Sequence, residues 1–237
     1  MKADTPFLDN RLRAVAEKIR PGVTLYDIGT DHAYLPVYAV VNRRVPHAVA
    51  ADIAPGPLAR AEAHIEAYGL KGTVQTVLSD GLKAITPCPP CDIVMAGMGG
   101  EMMARILDEK PEIRTCDVQL ILQPMTKPEV LRDYLSSVGY DIFEESVVEE
   151  GKLYEILCCR YAGIPYRLSP SERLVGRRGA RQENALFYAL VKKKMATLVA
   201  VMEGKRAGGI AYDGEEAVLT ELKTLVHDEA EGERGCL

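Results

Sequence analysis

The segment Leu25-Tyr26-Asp27-Ile28-Gly29-Thr30-Asp31-His32-Ala33-Tyr34 decides the fold class of this chain. An apolar run over residues 23–28 carries an acid near its end, is followed by a glycine, and leads into a helical pattern. This order is typical of a first parallel strand, at whose carboxyl end a nucleotide-like ligand binds. Gly29 lets the backbone approach such a ligand closely, because it has no Cβ atom.

Asp31 indicates the class of that ligand. A dinucleotide-binding motif places a second glycine at this position, so that a pyrophosphate can lie on the helix N-terminus. An aspartate would repel a pyrophosphate, but it would tolerate or favour a cationic cofactor without phosphates. S-adenosylmethionine, which carries a sulfonium and an ammonium group, is such a cofactor.

Apolar runs without polar alternation recur along the first half of the chain, with helical patterns between them. Such runs are typical of parallel strands covered on both faces, and the alternation predicts right-handed crossovers and a doubly wound sheet. The predicted strands span residues 23–28, 47–52, 73–78, 92–96 and 118–122.

Two further strands are predicted over residues 140–148 and 153–160. A short acidic turn with Gly151-Lys152 separates them and is too short for a crossover helix, so they must pair as an antiparallel hairpin. We therefore expect an α/β, Rossmann-like class I methyltransferase fold with a seven-stranded, mostly parallel sheet that ends in an antiparallel hairpin.

The pattern changes after residue 162. Pro/Gly-containing segments around residues 163–170 read as a linker, and apolar residues then recur three and four apart in two stretches separated by Gly208-Gly209 and Asp213-Gly214. We predict a methyltransferase domain over residues 1–162 and a two-helix antiparallel coiled coil over residues 163–237. Because the sheet is complete by residue 160, the first domain should fold without the second.

Positive charge is concentrated at the start of this C-terminal part. Residues 163–206 hold ten Lys/Arg against three Asp/Glu, a balance of +7, although the whole chain carries −5. This is the charge distribution of a surface that contacts phosphates, but a solvated helix face would look the same. The candidate RNA contacts are Arg177, Arg178, Lys192, Lys193 and Lys194.

Acids follow the second and third predicted strands as well as the first. Asp52, followed by Ile53, is placed to accept hydrogen bonds from the ribose hydroxyls of an adenosine group. Asp80 could accept from the adenine amino group, while Gly81 leaves the backbone room. Each acid alone could be a turn residue, but acids at three successive strand ends favour a cofactor site.

The fourth predicted strand leads into Gly97-Met98-Gly99-Gly100, a nearly bare backbone that a ligand or substrate can approach. Methyltransferases that act on exocyclic amines usually carry an Asn/Asp-Pro-Pro-aromatic motif here, and its absence argues against that chemistry. After the fifth strand, Gln123 offers a donor and an acceptor beside the expected methyl-transfer position.

Two other features have competing interpretations. His32 is the only histidine near the expected site; it contacts the cofactor or target base, or it packs at a helix start. Cys88-Pro89-Pro90-Cys91 has redox or zinc spacing, but no second pair completes a zinc site, so a plain loop and no metal are expected. Scattered cysteines, no apolar run of membrane-spanning length and no signal peptide predict a cytoplasmic protein, which we expect to be a monomer.

Together these segments resemble the bacterial family of tRNA adenine-N1 methyltransferases that modify adenine 22 in the D-arm region. The motifs are Asp-Ile-Gly-Thr-Asp-His-Ala-Tyr-Leu-Pro (27–36), Ala-Gly-Met-Gly-Gly (96–100), Leu-Gln-Pro (122–124), Gly-Lys-Leu-Tyr-Glu-Ile (151–156) and Arg-Leu (11–12), which cover essentially the catalytic domain. The coiled coil is similar in pattern only, and Met125 stands where many members have asparagine.

The resemblance implies S-adenosylmethionine as cofactor, tRNA as substrate and N1 of adenine as the acceptor. Candidate cofactor contacts, from the strand ends and the resemblance together, are Arg11, Asp27, Gly29, Asp31, His32, Asp52, Ile53, Asp80, Gly81, Gly97, Met98 and Gly99. Candidate catalytic residues are Asp31, His32 and Gln123; the Asp31 carboxylate would stabilise positive charge as it moves from sulfur to the base.

Three other functions are compatible with parts of this pattern. An NAD-dependent dehydrogenase is disfavoured by Asp31 and by the antiparallel hairpin. A methyltransferase acting on another RNA, a protein or a small molecule would keep the cofactor site, but the latter two would not need the basic segment. A catalytically silent module would bind RNA without turnover.

Overall fold

The structure, a computed structural model, describes residues 6–115 and 117–234, with side chains as far as residue 227. The outermost residues of both predicted domains therefore lie outside the described residues. The helices are α1 (Asn10–Lys18), α2 (Tyr34–Val41), α3 (Pro55–Ala67), α4 (Gly100–Asp108), α5 (Pro128–Val138), α6 (Pro170–Val175), α7 (Ala185–Ala207) and α8 (Asp213–Arg234), with a 3-10 turn at Pro111–Ile113.

Seven strands form one sheet in the order β3-β2-β1-β4-β5-β7-β6. They are β1 (Thr24–Ile28), β2 (Ala48–Asp52), β3 (Val74–Leu78), β4 (Cys91–Gly99), β5 (Val118–Thr126), β6 (Tyr140–Glu150) and β7 (Lys152–Tyr161). The first five are parallel, whereas β7 runs antiparallel to both β5 and β6. The predicted class I methyltransferase fold is confirmed.

Strands β4 and β5 are longer than the sequence predicts. The predicted ends were residues 96 and 122, but pairing continues through Ala96 with Gln123 and Met98 with Pro124, with register shifts between these pairs. Glycine and proline weaken a strand pattern in sequence, yet the neighbouring strand holds this backbone in place. Gln123 therefore lies inside a strand and is fully buried.

The core lies on both faces of the sheet. One face packs against α4 and α5 and the other against α1, α2 and α3, so apolar side chains on both sides of each central strand are removed from water. The first layer includes Met103, Leu107, Leu131 and Leu135, and the second includes Val15, Leu35 and Ile65.

The predicted linker over residues 163–170 leads directly into a short helix that the sequence pattern did not predict. Ser169 and Glu172 form a capping box, in which each side chain accepts a hydrogen bond from the other residue's backbone N–H, and this starts α6 at Pro170. The Asp213-Gly214 turn was also wrong, because both residues lie in the first turn of α8. Helices α7 and α8 pack together through buried residues that include Val191 and Leu222.

A buried charge network joins this C-terminal part to the sheet. Arg132 of α5 binds Glu145 of β6 at 2.7 Å and Glu155 of β7 at 2.5 Å, and Lys194 of α7 lies 3.2 Å from Glu155. Arg132 also donates to the backbone carbonyl of Arg173 at 3.2 Å. Burial opposes the charged forms, but the carboxylates raise the pKa of Arg132, and Arg132 with Lys194 lowers that of Glu155.

The backbone around residue 145 strengthens the same junction. The N–H of Glu145 donates to the carbonyl of Ala180 at 2.8 Å, and the N–H of Gln182 donates to the carbonyl of Glu145 at 2.8 Å. Residues 163–184 are thus held against α5 and β6 rather than forming a free connection. A domain boundary at residue 162 stays a prediction.

Within residues 6–115 and 117–234, the helices are too short or too polar to cross a membrane.

Candidate active site

The carboxyl ends of β1 and β4, with the start of α1, enclose a cavity of about 270 Å³. Its lining includes acids from α1's N-cap and from the β1–α2 loop, together with one arginine. The residues are Asp9, Arg11, Leu12, Asp27, Gly29, Thr30, Asp31, His32, Tyr34, Leu35 and Ala96. The cavity lies at the end of the first strand, where the sequence predicts the cofactor site.

Asp27 is the buried acid of this cavity. Burial raises its pKa to about 6, a hydrogen bond from the Thr30 hydroxyl opposes the rise, and the charge of Asp52 adds to it. The Thr30 hydroxyl also accepts from the N–H of Ala33 at 3.1 Å, which fixes the loop. A buried carboxyl of this kind gains from a cationic ligand, which would return it to its ionised form.

The glycines of the site differ in what they do. Gly29 has φ +81°, and a Cβ there would lie 2.1 Å from Cε of Met98, so Met98 packs directly over it. Gly97 has φ +90°, and its Cβ would meet no atom within 4 Å, so its bare backbone faces open space. Gly81 has φ +58°, and a Cβ there would lie 2.8 Å from Ile106, so backbone conformation and packing against α4 both favour glycine at this position.

Asp52 is the last residue of β2 and Asp80 lies two residues after β3, but neither lines this cavity. Asp52 is half-buried and accepts from the N–H of Ala54 at 2.8 Å, whereas Ile53 leaves 66% of its surface exposed beside it. Asp80 forms an ion pair with Lys83 at 2.5 Å, and this hydrogen bond lowers the pKa of Asp80. Lys83 thus competes for the carboxylate that the sequence assigned to adenine.

Asp31 is paired rather than free. Its carboxylate accepts two hydrogen bonds from Arg60 of α3, and it lies 3.4 Å from Nε2 of His32. Sequence reasoning missed Arg60, because no local pattern shows that the second helix after Asp31 faces it. The side chain of Asp31 is still 61% exposed, so it stays accessible from the cavity.

His32 belongs to a row of rings at the rim of the cavity. It stacks on Tyr34 with ring centroids 5.0 Å apart, and His64 contacts Tyr34 edge-on at 5.0 Å. The Nδ1 of His64 also lies 2.8 Å from the backbone carbonyl of His32. The expectation that His32 is the only histidine near the site was therefore wrong; His64 is brought there by α3.

Gln123 and Arg11, which the sequence assigned separately, touch each other. The Oε1 atom of buried Gln123 accepts from Nη1 of Arg11 at 2.8 Å, and its Nε2 donates to the carbonyl of Pro124 at 3.1 Å. Arg11 also lies 5.8 Å from the ring of Tyr154 on β7. These hydrogen bonds fix the amide of Gln123. Gln123 therefore orients the side chain of Arg11 as well as any substrate that it contacts.

The predicted RNA contacts do not form one cluster. Lys193 is exposed and lies near Lys194 beside the sheet, whereas Arg178 lines a different cavity between α6 and α8. Arg177 pairs with Asp141 and stacks over Tyr166, with its guanidinium 4.8 Å from the ring centroid. Lys192 is exposed on α7.

The two cysteines of the Cys88–Cys91 segment differ in exposure. Cys91 begins β4 and is buried, which raises the pKa of its thiol to about 12, whereas Cys88 is exposed. Across the part of the chain that the structure describes, no group of three or more His, Cys, Asp or Glu residues is placed to hold a metal ion.

The fold and this site define a methyltransferase, and residues 8–157 match the family described as methyltransferase domain. The tRNA (adenine(22)-N(1))-methyltransferase of Bacillus subtilis (strain 168) is 37% identical to this chain over 188 residues, which are 76% of this chain and 78% of that relative. The chain belongs to the tRNA (adenine(22)-N(1))-methyltransferase family.

Solved structures agree with this assignment. The crystal structure of the B. subtilis m1A22 tRNA methyltransferase TrmK has a TM-score of 0.77 and 32% identity, covering 94% of this chain and 98% of that chain. M. capricolum TrmK in complex with S-adenosyl-homocysteine has a TM-score of 0.79 and 26% identity, covering 93% of this chain and 98% of that chain. At this coverage both matches include more of the chain than the methyltransferase domain alone.

Proposed function

We propose that this chain transfers the methyl group of S-adenosylmethionine to N1 of adenine 22 in tRNA. The observation that carries the proposal is the cavity at the ends of β1 and β4, in a chain whose B. subtilis relative is a tRNA (adenine(22)-N(1))-methyltransferase. We also propose, from the sequence, that the protein is a monomer and acts in the cytoplasm.

The cavity suits the charges of S-adenosylmethionine. The carboxylates of Asp27 and Asp31 are available to the ammonium and sulfonium groups of the cofactor. The guanidinium of Arg11 is available to the carboxylate of the cofactor. The bare backbone of Gly97 leaves the space that a side chain would fill. Asp52 remains our candidate for the ribose hydroxyls, and the exposed Ile53 supplies an apolar surface for the adenine ring.

The protein needs no strong base for this reaction. Adenine N1 has an in-plane lone pair that is unprotonated at neutral pH, so alignment with the acceptor is the main requirement once S-adenosylmethionine supplies an electrophilic methyl group. The hydrogen bonds that fix Gln123 and Arg11 make a rigid wall against which a base can be aligned. A base in folded RNA has to leave its stack to reach this wall.

Methyl transfer to bulk bacterial tRNA tests the proposal. Incubation with labelled S-adenosylmethionine should label tRNA, and reverse transcription should stop at adenine 22, because a methyl group on N1 blocks Watson–Crick pairing. Label in protein or at another RNA position would contradict the proposed substrate. A full-chain Asp52→Ala variant is the control for cofactor dependence.

A further inference from the structure

We call the cavity at the ends of β1 and β4 the cofactor cavity. A second cavity, of about 310 Å³, lies beside it. It is bounded by the end of β5, the start of α5, the start of β7 and the side of α7 that carries Leu190 and Lys194. Tyr154 lines it, and its ring centroid lies 5.8 Å from the guanidinium of Arg11, which lines the cofactor cavity. Arg11, Gln123 and Tyr154 therefore form a wall between the two cavities.

This second cavity is positively charged. Its lining holds four lysines, Lys127, Lys152, Lys193 and Lys194, against two glutamates, Glu129 and Glu155. We call it the lysine groove. Its lysines come from both parts of the chain, the first two from the methyltransferase domain and the others from α7.

The partners of these groups show which charges are accessible. Glu155 is buried and bound by Arg132 and Lys194, so the charge of Lys194 is already paired inside the groove. Lys127 is exposed and paired with Glu101 at 2.6 Å. Lys152 and Lys193 are exposed, and the ammonium group of Lys152 lies 5.1 Å from the centroid of the Tyr154 ring.

We propose that the lysine groove binds the phosphodiester backbone of the RNA next to the nucleotide whose base enters the active site. The proposal rests on the proposed function. A concave surface that holds several lysines and an aromatic ring suits a nucleic acid strand. The ammonium groups bind its phosphates, and the ring offers a face on which a base stacks. A strand lying in the groove would deliver its neighbouring base to the Arg11–Gln123–Tyr154 wall.

The experiment compares the full chain with its Lys127→Gln/Lys152→Gln/Lys193→Gln variant. Filter binding of bulk bacterial tRNA is measured between 50 and 300 mM salt, together with single-turnover methylation and S-adenosylmethionine affinity. Each lost phosphate contact should flatten the slope of log affinity against log salt by about 0.7–0.9. We expect a slope smaller by roughly two, and tRNA affinity weaker by about tenfold, with cofactor affinity unchanged.

Two controls separate local contacts from general charge. The Lys127→Arg/Lys152→Arg/Lys193→Arg variant keeps the charges and should keep the slope. Lys71→Gln removes an exposed lysine near β3, at the opposite edge of the sheet, and should change neither slope nor rate. An unchanged slope in the triple Gln variant, or an equal change per charge in Lys71→Gln, would overturn the proposal.

The two proposals fail differently. A wild-type chain that methylates no tRNA contradicts the proposed function. A wild-type chain that methylates tRNA, with a triple Gln variant that does so equally well, leaves the function intact and removes the groove from RNA binding. That second result would also be the outcome if the groove binds an acidic protein surface instead.

Discussion

Replacing Arg132 by methionine should lower the free energy of unfolding by about 3–5 kcal/mol at pH 7.5. The side chain is 2% exposed and is the shared partner of Glu145 and Glu155. Without Arg132, both carboxylates stay buried with fewer positive charges and hydrogen-bond donors to offset the cost of removing them from water. Lys194 still reaches Glu155, and the N–H of Arg177 still donates to Glu145 at 2.9 Å, which is why we do not expect complete unfolding.

The loss should depend on pH in a defined direction. In the wild type the pKa of Glu155 is lowered, so its contribution to stability is present above its unfolded pKa and is lost as pH falls through the folded value. Without Arg132 the buried Glu155 carboxyl favours its protonated form, so the variant recovers stability relative to the wild type at low pH. The difference should therefore be largest at pH 7.5 and smaller at pH 5.

Urea denaturation followed by circular dichroism measures this difference. Lys71→Gln is the control, because its pair with Glu66 is exposed and should contribute no more than about 0.5 kcal/mol. A loss below about 1 kcal/mol for Arg132→Met, or the same loss at both pH values, would refute the reasoning.

Four other outcomes follow from the site and the junction. Asp52→Ala should cost about 1.5–3 kcal/mol of S-adenosylmethionine binding per lost hydrogen bond, and calorimetry showing unchanged affinity would exclude Asp52 from the site. Because the pKa of Asp27 is raised to about 6, a cationic ligand should bind more weakly as pH falls through that value. The folding stability of the free chain should change in the opposite direction: the contribution of Asp27 is present below about pH 4 and is lost as pH rises through about 6. A flat affinity between pH 5 and 8 would contradict this. Asp31→Ala should slow single-turnover methylation by roughly tenfold without loss of fold, an effect limited by Arg60, and a wild-type rate would leave Asp31 structural. Deleting residues 163–237 should abolish efficient tRNA methylation and lower stability by about 2–5 kcal/mol, because Glu145 and Arg132 lose backbone partners; a truncated chain as stable and active as the full one would contradict both.

The sequence predicted the parts of the molecule that local pattern determines. The apolar runs showed the strands. The acids at the ends of β1, β2 and β3 predict a cofactor site at this edge of the sheet, since parallel strands end at one edge, and of these acids Asp27 lines the cavity there. Gln123 was placed beside the site for the same reason. The short turn at Gly151 was enough to show that β6 and β7 are antiparallel.

Contacts between residues distant in the chain were beyond that reasoning. Nothing in the sequence pairs Arg60 with Asp31 or brings His64 to His32, because α3 reaches the site only through the packing of the sheet. The close packing of Gly81 against Ile106 was missed as well, because a turn glycine carries no local signal of the distant residue that it contacts.

The buried network also limits how this protein can be recombined with its relatives. Lys194 of α7 and Arg132 of α5 share the carboxylate of Glu155. A chimera cut at residue 162 would join helices from one parent to a sheet from another, and an unmatched partner would leave a charge buried. Exchange of the C-terminal helices between parents therefore has to transfer α5 and the β6–β7 hairpin with them.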